Sequence, residues 1–169
     1  GLCADAIATL EGIGREVLDE LAYESQQRAA RAIAEKRFDR SLVPVHHEDG
    51  RLALDHEEYP RPGTTREGLA KLAPSFVRVA DAAFDAGGST FGDLIRQVYP
   101  DLKFNHVHHA GNSSGVVDGA GAVLLASPGY ARSHGLVPRA RVVAMAELGD
   151  NPTLMLNAPI PATLKVLAK

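Results

Sequence analysis

The 169-residue chain carries a net charge of −3 and has a pI near 6.2. Its acidic and basic residues are interspersed and form no basic stripe, so we expect neither nucleic acid nor a membrane surface as a partner. The one cysteine, Cys3, excludes an internal disulfide framework, and no apolar run approaches the roughly twenty residues of a membrane span. A cytoplasmic location is therefore expected.

Two helices are predicted at the start of the chain, over residues 4–11 and 15–36. In the second, apolar residues recur at steps of three and four: Ile13, Val17, Leu18, Leu21, Ala22 and Ala29. The opposite face is charged and is expected to face solvent; it carries Arg15, Glu16, Asp19 and Glu20. Because the chain opens on Gly1 inside a helical pattern, we expect a sequence cut from a longer one.

A hairpin is predicted next, because the apolar runs 41–45 and 51–55 flank an Asp49-Gly50 turn. Residues 59–65 form a loop, and Thr65 is expected to cap a short helix that ends at Leu72. Residues 77–105 read as an insertion with a helix over 91–98.

The last third predicts an α/β core. Residues 110–122 are rich in small side chains, and they lead into an apolar run, 123–126, that is typical of a strand buried on both faces. A short helix near 130–134 and a second buried strand over 141–146 follow. A final helix has Pro161 in its first turn. Two strands cannot satisfy each other's backbone and side chains, so further elements are expected to cover them.

Several residues are candidates for chemistry, each with a plainer alternative. Two groups of histidines, His46 with His47 and His106 with His108 and His109, could bind zinc, although hydrogen-bonded or solvent-facing imidazoles are commoner. Cys3 could be a nucleophile or a small packing residue. Ser113 and Ser114 suit ligand hydrogen bonding or turn formation. Arg61 stands between two prolines, where a pre-set guanidinium can stack on a base or pair with phosphate, or remain idle.

Four strings, in order, resemble the thiolase family. Residues 1–5, with Arg15-Glu16 and residues 25–29, are similar to its helical entry to the loop domain. Residues 61–76 are similar to R-P-x-T-T-x-E-x-L-A-x-L-x-P-x-F, and residues 110–120 to A-G-N-x-S-G-x-x-D-G-A. Residues 151–162 resemble D-P-x-x-M-x-x-x-P-I-P-A. The resemblance covers the whole chain apart from about 77–105.

The resemblance implies an α+β loop domain over 1–109 and, over 110–169, the end of the N-terminal half and the start of the C-terminal half of a layered βαβ core. It implies acyl transfer between coenzyme A thioesters, with coenzyme A as substrate, no permanently bound cofactor and no metal. The full-length enzyme would be a homo-oligomer, a dimer or tetramer. The residues that it assigns to coenzyme A are Arg61 at the adenine, Gly68, Leu72 and Phe76 along the channel, and Ala110 and Ser114 at the pantetheine amides. Met155 would lie beside the acyl pocket.

The family's catalytic motifs do not occur in these residues. Thiolases use an N-terminal cysteine, an N-E-A-F asparagine, a G-H-P-x-G histidine and a C-x-G-G-G cysteine, so this segment by itself is expected to be inactive. Gly68 stands where serine is frequent, Val117 where asparagine is usual, and residues 105–109 replace a G-T-V-T lead-in. The segment 77–105 could reshape the acyl entrance for a bulky substrate. A non-catalytic coenzyme A binding module and an oligomerisation module are the alternative functions.

Overall fold

Two helices begin the chain and carry the acidic residues around which the candidate site is built. The computed structural model describes all 169 residues, in two units, Gly1–Gly115 and Val116–Lys169. Helix α1 (Leu2–Leu10) and helix α2 (Arg15–Ala34) are joined by a tight turn at Gly12. Gly12 has a φ of +66°, a left-handed conformation that glycine adopts at little cost. Both predicted helices are confirmed, with ends that differ by one or two residues.

The orientation of α2 differs from the amphipathic prediction. Asp19, assigned to the solvent face, is buried, whereas Val17 and Leu21, assigned to the core, are 64% and 68% exposed. The helix turns Asp19 inward because His109 and Asn112 hydrogen-bond its carboxylate there. A fully partnered carboxylate can be buried, so the charge pattern by itself predicted the wrong face.

The predicted hairpin is confirmed in a shorter form. Strand β1 (Val45–His46) pairs antiparallel with strand β2 (Leu52–Leu54), and Val45 lies opposite Leu54. The turn uses Gly50 with a φ of +83°. Every residue of the two strands is exposed, so the hairpin contributes nothing to the buried core.

Three short helices complete the first unit. Helix α3 (Arg66–Ala70) begins as predicted at Thr65, whose side chain accepts the backbone N–H of Gly68 at 3.0 Å. Helix α4 (Val77–Ala80) and helix α5 (Phe91–Arg96) lie in the segment read as an insertion. A capping box between Thr90 and Asp93 fixes the start of α5. These helices pack around a small core that consists of Leu2, Ala6, Ala8, Leu69, Ala80, Ile95, Leu102 and Val107.

The second unit has two helices and no paired strand. Helix α6 (Pro128–Ser133) ends before Gly135, and helix α7 (Pro159–Leu167) begins at a proline, both as predicted. The runs 123–126 and 141–146 are not strands: Val123 is 86% exposed and Val143 is 83% exposed. A strand needs a hydrogen-bonded neighbour, and neither run has one within residues 1–169. None of the helices is both long and apolar enough to span a bilayer.

Candidate functional site

The carboxylate of Asp5, on α1, holds the histidine-rich segment 106–108 against that helix. Asp5 is fully buried, and its Oδ1 accepts the backbone N–H groups of Val107 and His108, each at 3.1 Å. The Nδ1 atoms of His106 and His108 lie 2.7 Å from Oδ2 and Oδ1 of the same carboxylate. A buried carboxylate that lost these donors would be strongly destabilising. Asp5 therefore fixes residues 106–108 against α1.

A second buried carboxylate, Asp19 on α2, does the same for the next residues. Its Oδ1 lies 2.7 Å from His109 Nε2 and accepts Asn112 Nδ2 at 3.0 Å, while Arg15 Nε donates to Oδ2 at 3.3 Å. The ring of His109 also accepts the backbone N–H of Gly111, 3.0 Å from Nδ1. The Asn112 side chain accepts the His109 backbone N–H at 2.8 Å. These bonds attach the turn 109–112 to α2.

The hydrogen bonds around Asp19 decide its protonation state. Burial raises the pKa of this carboxyl group, but the hydrogen bonds from His109, Arg15 and Asn112 outweigh burial and hold the pKa below its usual range. Asp19 is therefore ionised at neutral pH.

Arg15 joins α2 to the end of α3. One guanidinium nitrogen, Nη2, donates to the backbone carbonyls of Leu69 and Leu72 at 2.7 and 2.6 Å. Leu69 is in the last turn of α3 and Leu72 follows that helix, so the guanidinium lies at the helix C-terminus, where a cation is favoured. Arg15 thus connects the segment 65–72 to the same network as Asp19.

A cleft of about 430 Å³ lies beside this network. One wall is α2, from Leu18 to Ala29; the others are Tyr59 with Pro60 and the loop Gly111–Gly115. The loop is closely packed: a methyl group at Gly111 would lie 2.5 Å from Leu69 Cδ2, and one at Gly115 would lie 2.4 Å from the Tyr59 ring. Glycine avoids both contacts, whereas even alanine would force the Leu69 or Tyr59 side chain to shift. The cleft has the size of a small-molecule subsite.

Of the residues assigned by family resemblance, Ser114 lines this cleft and Arg61 lies at its edge. Ser114 is exposed within the loop. Arg61 follows directly after Tyr59 and Pro60, and its backbone N–H donates to Gln26 Oε1 on α2 at 2.7 Å. Its guanidinium carbon is 5.9 Å from the centroid of the Tyr59 ring, a cation–π distance. The side chain is exposed and forms no ion pair, so it is available to a ligand.

The other assigned residues of the first unit lie outside the cleft. Gly68 is in the first turn of α3, and Leu72 follows that helix, with its Cδ1 close to Gly111. Ala110 is exposed beside Gly111. Phe76 is half-buried, and its ring lies against Gly1 at the start of α1. Leu72 and Ala110 are thus brought near each other through Gly111, whereas Phe76 packs at α1.

Met155 belongs to the second unit. Its side chain is 65% exposed and its φ is +65°, a left-handed conformation that is uncommon for residues other than glycine. The backbone there is held by bonds to Asn151: the N–H of Met155 donates to the Asn151 carbonyl at 3.0 Å, and the N–H of Thr153 donates to Asn151 Oδ1 at 2.9 Å.

The histidines have carboxylate partners, which the sequence interpretation did not find. No group of three or more histidine, cysteine, aspartate or glutamate residues has the arrangement of a metal site. Instead, three imidazoles divide between Asp5 and Asp19. The partners are about ninety to a hundred positions away along the chain, so no local motif could have revealed them.

Comparison with known proteins places the chain in a family. The family model described as the thiolase N-terminal domain matches residues 1–91, more than half of the chain. The chain therefore belongs to the thiolase family. It is similar to the 3-ketoacyl-CoA thiolases of Pseudoalteromonas translucida and Photobacterium profundum, with 41% and 38% identity over 172 residues. Each match covers 100% of this chain but 38% of the relative's length.

Solved structures agree with this assignment. Human mitochondrial 3-ketoacyl-CoA thiolase superimposes with a TM-score of 0.76 and 32% identity, covering 98% of this chain and 36% of the human one. The same human enzyme in complex with CoA gives a TM-score of 0.76 and 32% identity, with 99% and 35% coverage. The predicted fold class, an α/β thiolase fold, is thereby confirmed. The predicted family is confirmed as well.

Proposed function

We propose that this chain supplies the coenzyme A-binding part of a thiolase that transfers acyl groups between coenzyme A thioesters. The reaction of the full-length enzyme would be thiolytic cleavage of 3-ketoacyl-CoA, or the reverse Claisen condensation, in fatty acid degradation. The main support is the match to 3-ketoacyl-CoA thiolases along the whole chain. Coenzyme A would be a substrate, with no permanently bound cofactor.

The proposed contacts are those that the family resemblance assigns. Arg61, exposed and beside the Tyr59 ring, would stack on the adenine. Ser114 and the small residue Ala110 would meet the pantetheine amides at the loop held by Asp19 and His109. Gly68, Leu72 and Phe76 would line the channel between these ends, and Met155 would lie beside the acyl group.

The division of the chain is part of the same proposal. Residues 1–109 would be the loop domain, and residues 110–169 would belong to the layered core. We further propose a cytoplasmic homo-oligomer, a dimer or tetramer, as the full-length enzyme. The segment 77–105, which contains α4 and α5, would shape the acyl entrance for a bulky substrate.

Calorimetric titration of the chain with coenzyme A tests the binding proposal. We expect Arg61→Ala to weaken binding by about tenfold, and Ser114→Ala by about fivefold, because each removes one polar or stacking contact. Arg51→Ala is the matched control: Arg51 is an exposed arginine in the hairpin, paired with Asp49, and its loss should leave the affinity unchanged. Equal affinities for all four proteins would reject these contacts and favour a role in oligomer assembly.

Turnover is a separate question from binding. Catalysis in the family needs cysteine, histidine and asparagine motifs that do not occur in residues 1–169, so the chain by itself should bind without cleaving acetoacetyl-CoA. Thiolysis by the purified 169-residue chain, above the background of a buffer control, would contradict this expectation.

A further inference from the structure

His109 is a buried titratable side chain to which the proposed binding contacts give no role. Its exposure is 0%, and it lies directly before Ala110, at the start of the loop that ends in Ser114 and Gly115. Its ring touches two different parts of the first unit. Nε2 faces Asp19 on α2, and Nδ1 faces the backbone of Gly111 in the loop.

The two contacts fix the protonation pattern of the ring. The Gly111 N–H is a donor, so Nδ1 must be the acceptor and cannot carry a proton. The single proton of the neutral ring is then on Nε2, where it donates to Asp19 Oδ1 at 2.7 Å. Only this tautomer of the neutral imidazole satisfies both neighbours.

A second proton on the ring would break one of the two links. Protonated Nδ1 would point its N–H at the N–H of Gly111, and two donors 3.0 Å apart repel each other. The contact with ionised Asp19 would persist and strengthen. The ring would therefore stay on α2 while Gly111 moved away from it.

Of the two ring contacts, only the one with Gly111 would be broken by a charge on the ring. From α2 the ring faces Asp19, which is itself bonded to Arg15. On α1, the buried carboxylate of Asp5 is bonded to His106 and His108. Leu69 of helix α3 and Leu72, just after it, lie at Gly111, and Arg66 of α3 is paired with Glu20. Asn112 holds the turn whatever the charge on the ring: its side chain donates to Asp19 Oδ1 and to the Val107 carbonyl, and it accepts the His109 backbone N–H.

We propose that His109 is a positioning residue for the ligand loop, the residues 110–115: neutral His109 joins Gly111 to Asp19, and protonation of His109 frees Gly111, while Asn112 stays bonded to Asp19, and thereby weakens coenzyme A binding. This inference rests on the proposed function, because it assumes that Ala110 and Ser114 contact the ligand. The loop-holding part of it concerns the protein by itself.

The test compares the chain with His109→Gln. Glutamine offers an amide N–H to Asp19 and an amide oxygen to Gly111, but it does not titrate between about pH 5 and pH 8. The matched control is His47→Gln, which removes an exposed hairpin histidine distant in sequence from the loop. Coenzyme A affinity by calorimetry and the amide resonance of Gly111 by NMR are followed over this pH range.

We expect the unaltered chain and His47→Gln to lose about threefold to tenfold in affinity when His109 gains its second proton, the effect of one hydrogen bond. The Gly111 amide should shift with the same midpoint. His109→Gln should bind with a constant affinity, and its Gly111 amide should not titrate. A purely structural histidine would give the opposite result: Tm would fall in His109→Gln, while affinity kept the same pH dependence as in the unaltered chain.

Two failures can be told apart. If the unaltered chain binds no coenzyme A at any pH, the proposed function is rejected, and the Gly111 titration still decides whether His109 holds the loop. If coenzyme A binds but affinity and the Gly111 resonance titrate alike in the unaltered chain and His109→Gln, the positioning role of His109 is rejected.

Discussion

Single side chains determine how residues 105–112 attach to the first two helices. Asp5 receives four contacts from three residues and has no exposure to water. We expect Asp5→Asn to lower the free energy of unfolding by about 3 kcal/mol, because an amide nitrogen would face donors that now point at a carboxylate oxygen. Urea denaturation at neutral pH measures the change.

The control for Asp5 is an exposed carboxylate that also contacts a histidine. Asp55 pairs with His56 at 2.8 Å on the surface, and Asp55→Asn should change stability by less than about 0.5 kcal/mol. Similar losses in the two variants would mean that the Asp5 contacts add nothing beyond an ordinary surface pair.

The second residue-scale prediction concerns acid. The pKa of Asp19 is lowered in the folded chain, so the folded state binds this proton less readily than the unfolded state does. Its contribution to stability is therefore complete above the unfolded pKa, about 4, and is lost as pH falls through the lower folded value. Unfolding by urea between about pH 2 and pH 6 should show a shallower acid loss in Asp19→Asn than in the unaltered chain.

Other carboxylates also contribute to the acid slope, and one of them provides a comparison. Hydrogen bonds from Ser89 lower the pKa of Asp85, which lies on the surface. Asp85→Asn should therefore also flatten the acid slope, but without changing the Gly111 resonance. If Asp19→Asn left the dependence of the unfolding free energy on pH unchanged, the hydrogen bonds around this carboxylate would not lower its pKa in the way described.

At the scale of elements, the start of α3 links stability to the proposed binding surface. The Thr65 side chain accepts the Gly68 N–H, one of the donors that the first turn of a helix leaves unpaired. We expect Thr65→Ala to cost about 1 kcal/mol and to weaken coenzyme A binding, because Gly68 and Leu72 lie on or just after this helix. Thr65→Ser keeps the hydroxyl oxygen and should behave nearly as the unaltered chain. If both variants lost stability and affinity equally, the hydrogen bond of the Thr65 cap would not be the cause.

Local rules predicted most elements, because their signals are short-range. The structure has a helix cap at Thr65 and a hairpin turn at Asp49-Gly50, and helix α7 begins at Pro159, with Pro161 in its first turn. Each of these residues acts on neighbours only a few positions away. The prediction of which face of α2 is buried was wrong, because the partners that allow Asp19 to be buried are ninety or more positions away along the chain. The pairing of His106 and His108 with Asp5 was not predicted for the same reason, because Asp5 is about a hundred positions away along the chain. The assignment of coenzyme A contacts came from family resemblance and stays a prediction.

At the scale of the whole molecule, the two units differ in how well their backbones are bonded. In the first unit, helices and the network of Asp5 and Asp19 tie distant segments together. In the second, the runs 123–126 and 141–146 have no strand partner and are largely exposed. We expect amide hydrogens in these runs to exchange within seconds, while those in the middle of α2 are protected. Exchange measured by mass spectrometry at low protein concentration checks this.

Concentration provides the control for that experiment. Exposed apolar runs with high strand propensity are prone to pair with other copies. If protection in 123–126 and 141–146 rises with protein concentration, the runs pair between molecules. Strong protection at every concentration would show that they are bonded within one chain, contrary to the structure.

The position of Tyr59 has an optical consequence. The chain has four tyrosines and no tryptophan, so tyrosine emission is not masked by energy transfer to an indole. Tyr59 forms part of the cleft wall, and its ring lies over Gly115, with the Arg61 guanidinium 5.9 Å from the ring centroid. Anything that enters the cleft or draws Arg61 away changes the surroundings of this ring. The molecule thus carries its own fluorescent reporter at the place where its ligand is proposed to bind, without the need for an attached dye.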